Sequence, residues 1–167
     1  TIWGYGTQNA RTSFIHSATG NRIAPVICYE SVFGDFVAGF VREGAEVLAI
    51  ITNDGWWKNT KGYYQHLEYS SLRAIETRRP VLRCANTGIS CITDIRGKRL
   101  QETEWWTKSS LKGTIAPETK ITFYVRAGDY IFNAASVISI IILICIFSHE
   151  LKRRIHKTLY RRKWPDS

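Results

Sequence analysis

The segment from Tyr130 to Phe147 constrains the fold of this chain most, because it contains no charged residue. Isoleucine, valine, leucine and phenylalanine dominate it, and its polar interruptions are Asn133, Ser136 and Ser139. A run of about 18 such residues is just long enough to cross the hydrocarbon core of a bilayer. A buried core helix is the alternative, but such a helix usually keeps a polar face. We therefore predict one transmembrane helix over residues 128–148.

Basic residues crowd into the segment that follows this apolar run. The chain carries a formal charge of +9, and seven of its cations lie close together: Lys152, Arg153, Arg154, Lys157, Arg161, Arg162 and Lys163. Basic tails can bind nucleic acid. A basic segment directly after an apolar one is better explained by the positive-inside rule, which keeps the basic segment in the cytoplasm, and by contact with anionic lipid. We predict a cytoplasmic tail over residues 149–167, a domain on the other side of the membrane, and no nucleic-acid partner.

A second informative segment runs from Arg22 to Ser31. Its apolar, β-branched residues 23–27 predict a strand, and the periodic residues after Gly34 predict a helix that closes near Gly44. Cys28 lies at the junction. A cysteine on such a turn projects its sulfur from the sheet edge, where the next amide and the helix N-terminus stabilise negative charge. The alternative is a buried cysteine that closes a core strand.

Strand and helix patterns alternate along most of the remaining chain, which predicts an α/β layered domain. We expect a helix from Tyr64 to Arg78, ended by Pro80. The continuous apolar run Val47 to Thr52 predicts a strand that is buried on both faces. The other predicted strands are Ser13 to His16, Val81 to Ala85, Ile89 to Asp94, one after the turn Asp94 to Lys98, and Leu111 to Ala116.

Four aromatic residues lie in the predicted loop from Asn53 to Tyr64: Trp56, Trp57, Tyr63 and Tyr64. So many large aromatic side chains in one surface loop favour a lipid-facing or substrate-covering surface, with a core role for at least one tryptophan as the alternative. Lys58 and Lys61 in the same loop could meet a phosphate or remain solvated surface charges.

Several short motifs occur in a recognisable order. They are Cys28-Tyr29-Glu30, Asn53-Asp54-Gly55-Trp56-Trp57, Gln65-His66, Arg79-Pro80 and Asn86-Thr87-Gly88-Ile89. This ordered series resembles the carbon-nitrogen hydrolase (nitrilase) superfamily and, within it, most closely the apolipoprotein N-acyltransferase family. The resemblance covers nearly the whole chain and includes the membrane helix at its end.

The resemblance implies that residues 1–127 form the second half of a nitrilase-like αββα sandwich. A chain that lacks methionine and opens on Thr1 is expected to be the C-terminal part of a longer protein. In the superfamily, a glutamate base and a lysine assist the cysteine, and both precede the cysteine strand. Neither is matched in this sequence, so this fragment alone is expected to be inactive.

The resemblance also assigns site residues and partners. Cys28 is the expected nucleophile, the amide of Tyr29 an oxyanion donor, and Glu30 a supporting carboxylate, with a structural pair between Glu30 and an arginine such as Arg83 as the alternative. Asn53, Trp56 and Trp57 are expected to contact substrate. The implied donor is a membrane phospholipid, the intermediate a thioester, and the acceptor the N-terminal diacylglyceryl-cysteine of an apolipoprotein, in a monomeric enzyme of the bacterial inner membrane with a periplasmic catalytic domain.

Other titratable residues are expected to be structural. The cysteines lack paired spacing and no histidine cluster accompanies them, so neither a metal nor another cofactor is expected. Cys84 and Cys91 on neighbouring strands are expected to be half-buried core thiols, with a disulfide as the alternative. His66 on the predicted helix is expected to be structural or to shape the substrate site.

Two other functions remain open at this point. The first is a membrane-anchored amidase of the nitrilase type that uses water as acceptor, although soluble members of the superfamily need no segment like Tyr130 to Phe147. The second is a non-catalytic, membrane-anchored binding module in which Cys28 is merely buried.

Overall fold

The computed structural model describes residues 10–163. Residues 1–9 of the expected catalytic half and residues 164–167 of the expected tail lie outside the described part. The chain divides into two compact units, Thr1–Gly128 and Asp129–Ser167. The first unit contains the mixed sheet with its helices, and the second contains one long helix.

The described residues of the first unit form a six-stranded sheet whose strands follow one another in chain order. They are β1 Phe14–Ile15, β2 Arg22–Ile27, β3 Val47–Asn53, β4 Val81–Asn86, β5 Cys91–Thr93 and β6 Arg99–Glu102. The central strands β2, β3 and β4 are parallel, whereas β1, β5 and β6 pair antiparallel at the two sides. The carboxyl ends of the three parallel strands therefore meet at one edge, where α/β folds place ligands.

Helices and short 3-10 turns connect the parallel strands. They are the turn Cys28–Val32, α1 Gly34–Arg42, the turn Asp54–Trp57, α2 Lys61–Thr77 and α3 Phe123–Ala127. Helix α2 begins three residues before the predicted start, because the Thr60 side chain accepts a hydrogen bond from the Gly62 amide and caps the helix. It ends at Thr77, and the C-cap residue Arg78 has a left-handed conformation, with φ 53°, that closes the helix before Pro80.

The core lies between one face of the sheet and helices α1 to α3. Residues from three strands and from all three helices pack in one cluster: Ala24, Val26, Val37, Ala38, Phe40, Val41, Ala45, Leu48, Ile50, Ala74, Val81 and Val125. One β layer under one α layer confirms the α/β prediction and is the arrangement of half an αββα sandwich.

The opposite face of the sheet is exposed, and here the prediction for Val47 to Thr52 was wrong. Leu48, Ile50 and Thr52 are buried beneath the helices, but Ile51 is 51% exposed and Ile27 on the neighbouring strand is 50% exposed. Successive side chains of a strand point to opposite faces, so helices on one face bury only alternate residues. The continuous apolar run therefore shows that both faces of β3 are apolar, but helices cover only one of these faces.

The predicted strand from Leu111 to Ala116 is also wrong, since these described residues form no strand. The chain instead passes over the sheet's side chains. At Gly113 the backbone runs so close to Ile92 that a Cβ atom would lie 2.8 Å from its Cδ1. A segment that contacts side chains in this way does not line up with the edge strand β6 and gains no ladder hydrogen bonds.

The second unit consists of helix α4, Tyr130–Lys163. Its segment from Tyr130 to Arg154 has 25 residues, and an 18-residue stretch within it has a mean hydropathy of 2.5, so its length and composition allow it to cross a membrane. The helix continues beyond Phe147 into the basic segment. Cys145 lies within the apolar part.

Candidate functional site

Cys28 follows the last residue of β2 and opens the 3-10 turn at the carboxyl edge of the sheet. Its φ of 51° is left-handed, which costs a non-glycine residue about 1–3 kcal/mol. Two hydrogen bonds hold the turn: the Ile27 amide donates to Glu30 Oε2 at 2.7 Å, and the Ser31 hydroxyl donates to the Cys28 carbonyl at 2.8 Å. The predicted sharp turn is thus present, and the Cys28 side chain is half-buried there.

A buried polar cluster, formed by Ser31, Thr52, Asp54, His66 and Arg83, lies beside this cysteine. Asp54 is its centre. Its Oδ1 lies 2.9 Å from His66 Nδ1 and 3.2 Å from the Thr52 hydroxyl, while its Oδ2 accepts from Arg83 Nη2 at 2.6 Å. These bonds satisfy a carboxylate that would otherwise be buried without a partner.

The cluster reaches Cys28 at two atoms. His66 Nε2 lies 3.2 Å from the Cys28 carbonyl and 3.1 Å from the Ser31 hydroxyl. The Thr52 hydroxyl lies 3.3 Å from Cys28 Sγ. The cluster therefore touches both the backbone and the sulfur of the cysteine.

Asp54 is held as a carboxylate in spite of its burial. Burial by itself raises the pKa of this group, but the hydrogen bond from His66, together with the charge and the hydrogen bond of Arg83, outweighs that effect and lowers the pKa below its ordinary value of 3.8. The arginine thus has a charged partner in the interior.

The motif glycine Gly88 lies against the same carboxylate. A Cβ atom at Gly88 would overlap the Asp54 side chain, with Cβ–Cβ and Cβ–Cγ separations of 2.7 and 2.8 Å. The absence of a side chain there lets the turn between β4 and β5 close over the buried polar cluster.

Tyr29 and Glu30, the site residues predicted beside Cys28, lie on the same turn as the cysteine. Glu30 does not pair with Arg83, so that alternative was wrong. Arg83 lies on the helix-covered face of β4 and forms an ion pair with Asp54. Tyr29 is exposed, and its ring lies 6.0 Å from Phe33 and 6.1 Å from His66.

Asn53, Trp56 and Trp57 lie on the turn after β3 at the same edge. Asn53 Oδ1 accepts from the Gly55 amide and from the Thr87 hydroxyl, both at 3.1 Å, and so joins the ends of β3 and β4. Trp56 is 82% exposed, whereas Trp57 is 37% exposed and packs over Gly62.

A family model for carbon-nitrogen hydrolases matches residues 2–123, which is most of the chain. The chain belongs to the carbon-nitrogen hydrolase family. The ordered motifs around Cys28 lie within the matched residues, as does the whole of the buried polar cluster.

Curated relatives of this chain are named apolipoprotein N-acyltransferase. The protein of Chlorobaculum tepidum is 46% identical over 110 residues, which cover 66% of this chain and 21% of that protein. The proteins of Geobacter metallireducens and Haemophilus influenzae are 37% and 33% identical, over 65% and 71% of this chain and 21% and 23% of their own lengths. The chain thus spans about a fifth of the length of these relatives.

Among solved structures, this chain is similar to Saccharomyces cerevisiae Nit3, described as a member of branch 10 of the nitrilase superfamily. The identity is 19% and the TM-score 0.49, over 62% of this chain and 40% of that one.

The aromatic surface of the chain differs from the prediction in two ways. Tyr63 is buried and belongs to a small core cluster with Leu67, Ile89 and Cys91. Its ring stacks on Trp105 at 5.1 Å, and Trp105 in turn lies 4.9 Å from Trp106. Sequence reasoning missed these last two tryptophans, because they lie more than 40 residues from the aromatic loop along the chain.

The cysteines of strands β4 and β5 are both free. Cys84 is exposed and Cys91 is buried, so the prediction of two half-buried core thiols was wrong for both. Cys91 pairs in register with Arg83 rather than with Cys84, so the two thiols point to opposite faces. Burial raises the pKa of the Cys91 thiol.

Sequence reasoning also missed Thr52 and Ser31 as site residues, and it quoted Asp54 only as part of a motif. The available signal was the polar run Thr52-Asn53-Asp54 at the end of an apolar strand. Polar residues at the carboxyl end of a buried parallel strand are candidates for the site edge.

Proposed function

We propose that this chain is part of an N-acyltransferase that moves a fatty acyl group from a membrane phospholipid to the N-terminal diacylglyceryl-cysteine of apolipoproteins. The observation that carries the proposal is Cys28, held in a left-handed turn at the carboxyl edge of the parallel strands beside a buried polar cluster. Similarity to proteins named apolipoprotein N-acyltransferase supports the choice of substrates.

In the first step, the Cys28 thiol gives its proton to a base and the thiolate attacks the carbonyl carbon of a phospholipid ester. The amide of Tyr29, which follows the nucleophile, donates to the oxyanion. The ester C–O bond breaks, the lysophospholipid oxygen takes the proton, and the acyl group remains on Cys28 as a thioester.

In the second step, the free α-amino group of the lipoprotein attacks the thioester carbonyl. The C–S bond breaks, an amide forms, and the proton lost by the amine returns to the sulfur. Cys28 is thereby restored, and no redox or metal chemistry enters either step.

We propose that the base that takes the thiol proton lies upstream of this sequence, in a protein as long as the curated relatives. The carboxylates close to Cys28 are already engaged: Asp54 with Arg83 and His66, and Glu30 with the Ile27 amide. Glu30 thus supports the nucleophile by shaping its turn. The chain's share of about a fifth of its relatives leaves room for upstream partners.

The test of this function is the covalent intermediate. A full-length protein that carries this sequence, incubated with phospholipid and no acceptor, should accumulate an acyl group on the tryptic peptide 23–42, in which Cys28 is the single cysteine. Neutral hydroxylamine should release it, as expected for a thioester. Release of free fatty acid without transfer to an added lipoprotein would identify a water-using amidase-type enzyme instead.

We further propose that α4 spans the bacterial inner membrane, with the catalytic domain in the periplasm and the basic segment in the cytoplasm. The apolar segment Tyr130–Arg154 and the cations around its end support this orientation. A reporter that functions only in the cytoplasm should therefore be active when fused after Ser167. Activity of a periplasm-dependent reporter at the same position would contradict the orientation.

We propose that Trp56 and Trp57 guide acyl chains toward Cys28. Because Trp56 is far more exposed than Trp57, Trp56→Ala should leave the melting temperature unchanged, whereas Trp57→Ala should lower it modestly. The double variant of the full-length protein should form the acyl-thioester about tenfold more slowly or worse. Early melting combined with unchanged activity per folded molecule would show that both tryptophans are structural.

A further inference from the structure

The hydroxyl of Thr52 has one proton to donate and lies close to two acceptors. It lies 3.3 Å from Cys28 Sγ and 3.2 Å from Asp54 Oδ1. A hydroxyl donates one hydrogen bond and rotates to the stronger acceptor. Since Thr52 is only 6% exposed, water competes little for this proton.

We propose that Thr52 is a further catalytic residue, whose hydroxyl donates a hydrogen bond to the thiolate of Cys28. The inference rests on the acyl-transfer function proposed above and adds a residue that touches the reacting atom. A thiolate is a charged acceptor, and hydrogen bonds to charged groups are stronger than those between neutral groups. The bond therefore stabilises the nucleophilic form of Cys28 over its thiol.

Asp54 makes the hydroxyl available for this role. Its charge is already shared by Arg83 Nη2 at 2.6 Å and by His66 Nδ1 at 2.9 Å, so it does not depend on the Thr52 proton for a partner. When Cys28 becomes acylated, its sulfur is a much poorer acceptor. The hydroxyl then rotates to Asp54 Oδ1, so the Thr52 donor has an acceptor at each stage.

The test measures alkylation of Cys28 by iodoacetamide in the full-length protein, followed on the tryptic peptide 23–42 by mass spectrometry. Thr52→Val keeps the shape of the side chain and removes the hydroxyl, whereas Thr52→Ser keeps the hydroxyl. At about pH 7, Thr52→Val should react about tenfold more slowly than wild type, and Thr52→Ser should react nearly as fast. At about pH 10, where cysteines ionise without help, the three rates should converge.

A matched control is Thr93→Val. Thr93 is also buried and its hydroxyl lies 3.6 Å from a sulfur, that of Cys91, so this variant removes an equivalent hydroxyl outside the site. It should leave Cys28 alkylation unchanged. If Thr52→Val does not fold, as judged by its melting temperature, Thr52→Ala removes the same hydroxyl without adding a methyl group beside Asp54.

Two results would overturn the inference. The first is equal alkylation of Thr52→Val and wild type at about pH 7, and the second is the same slowing at both pH values, which would indicate a change in access to the sulfur. Alkylation needs no acyl donor. A slow Thr52→Val in a protein whose wild type never forms an acyl-thioester would therefore uphold the hydrogen bond to Cys28 and reject the acyl-transfer function.

Discussion

Replacement of Cys28 by alanine is expected to abolish lipoprotein acylation in the full-length protein, with a loss of at least about a thousandfold. Alanine removes the sulfur on which the proposed acyl group is carried. The measurement is the mass gain of an N-terminal lipopeptide in the presence of phospholipid, together with the mass of the peptide 23–42.

Two further variants make this expectation specific. Cys28→Ser should form no hydroxylamine-sensitive thioester, since its oxygen could carry the acyl group only as a more stable ester. Cys84→Ala is the matched control, because Cys84 is exposed on the opposite face of the sheet and lies outside the site. It should acylate at nearly the wild-type rate. A Cys28→Ala protein that still acylates lipoprotein would exclude the proposed function.

The second large effect is expected on stability. Asp54→Asn should lower the free energy of unfolding by about 3–5 kcal/mol, because it leaves the Arg83 charge buried without a charged partner. The matched control is Asp35→Asn. Asp35 forms a pair of 2.9 Å with Arg42, but both side chains are exposed, so this change should cost at most about 1 kcal/mol.

A double variant separates the ion pair from the shape of the site. Asp54→Asn combined with Arg83→Met removes both charges, so it should be more stable than Asp54→Asn alone. Chemical or thermal unfolding of the purified full-length protein gives these comparisons. A double variant that is less stable than either single change would show that burial of the pair is not the source of the loss.

The same carboxylate predicts an acid dependence of stability. The pKa of Asp54 is lower in the folded protein than its ordinary value of 3.8, so its contribution is fully present above that value. The contribution is lost as the pH falls through the lower folded value, because the carboxylate must then be protonated. Below about pH 4, the melting temperature of the wild type should therefore fall more steeply with pH than that of Asp54→Asn. Parallel acid profiles would contradict the assignment.

Much of the backbone was predictable from local patterns. The strand before Cys28, the helix after Gly34 and the turn that starts at Asp94 were predicted from residues within a few positions of one another. Such elements depend on side-chain periodicity, on left-handed turn positions and on the restrictions that proline imposes, all of which are properties of short segments. The apolar helix from Tyr130 was predictable for the same reason.

The site itself was less predictable, because its contacts join distant segments. A pair between Arg83 and Glu30 was the alternative interpretation, but Arg83 meets Asp54. The register of β3 and β4 sets Asn53 opposite Asn86 and places Arg83 on the helix-covered face. The hydroxyl of Thr52 reaches Cys28 across 24 residues. The apolar run of β3 likewise could not show that helices cover only one of its faces.

By itself, the sequence determined the strand, turn and helix around Cys28 and the apolar helix that follows the domain, because each is set by interactions along the chain. The tertiary structure alone decided which polar groups surround the cysteine. Thr52, Asp54, His66 and Arg83 come from a strand, a turn, a helix and a second strand, and only the packing of α2 on the parallel strands brings them within hydrogen-bonding distance. Hydrogen bonds act over about 3 Å, a distance that spacing along the chain does not specify.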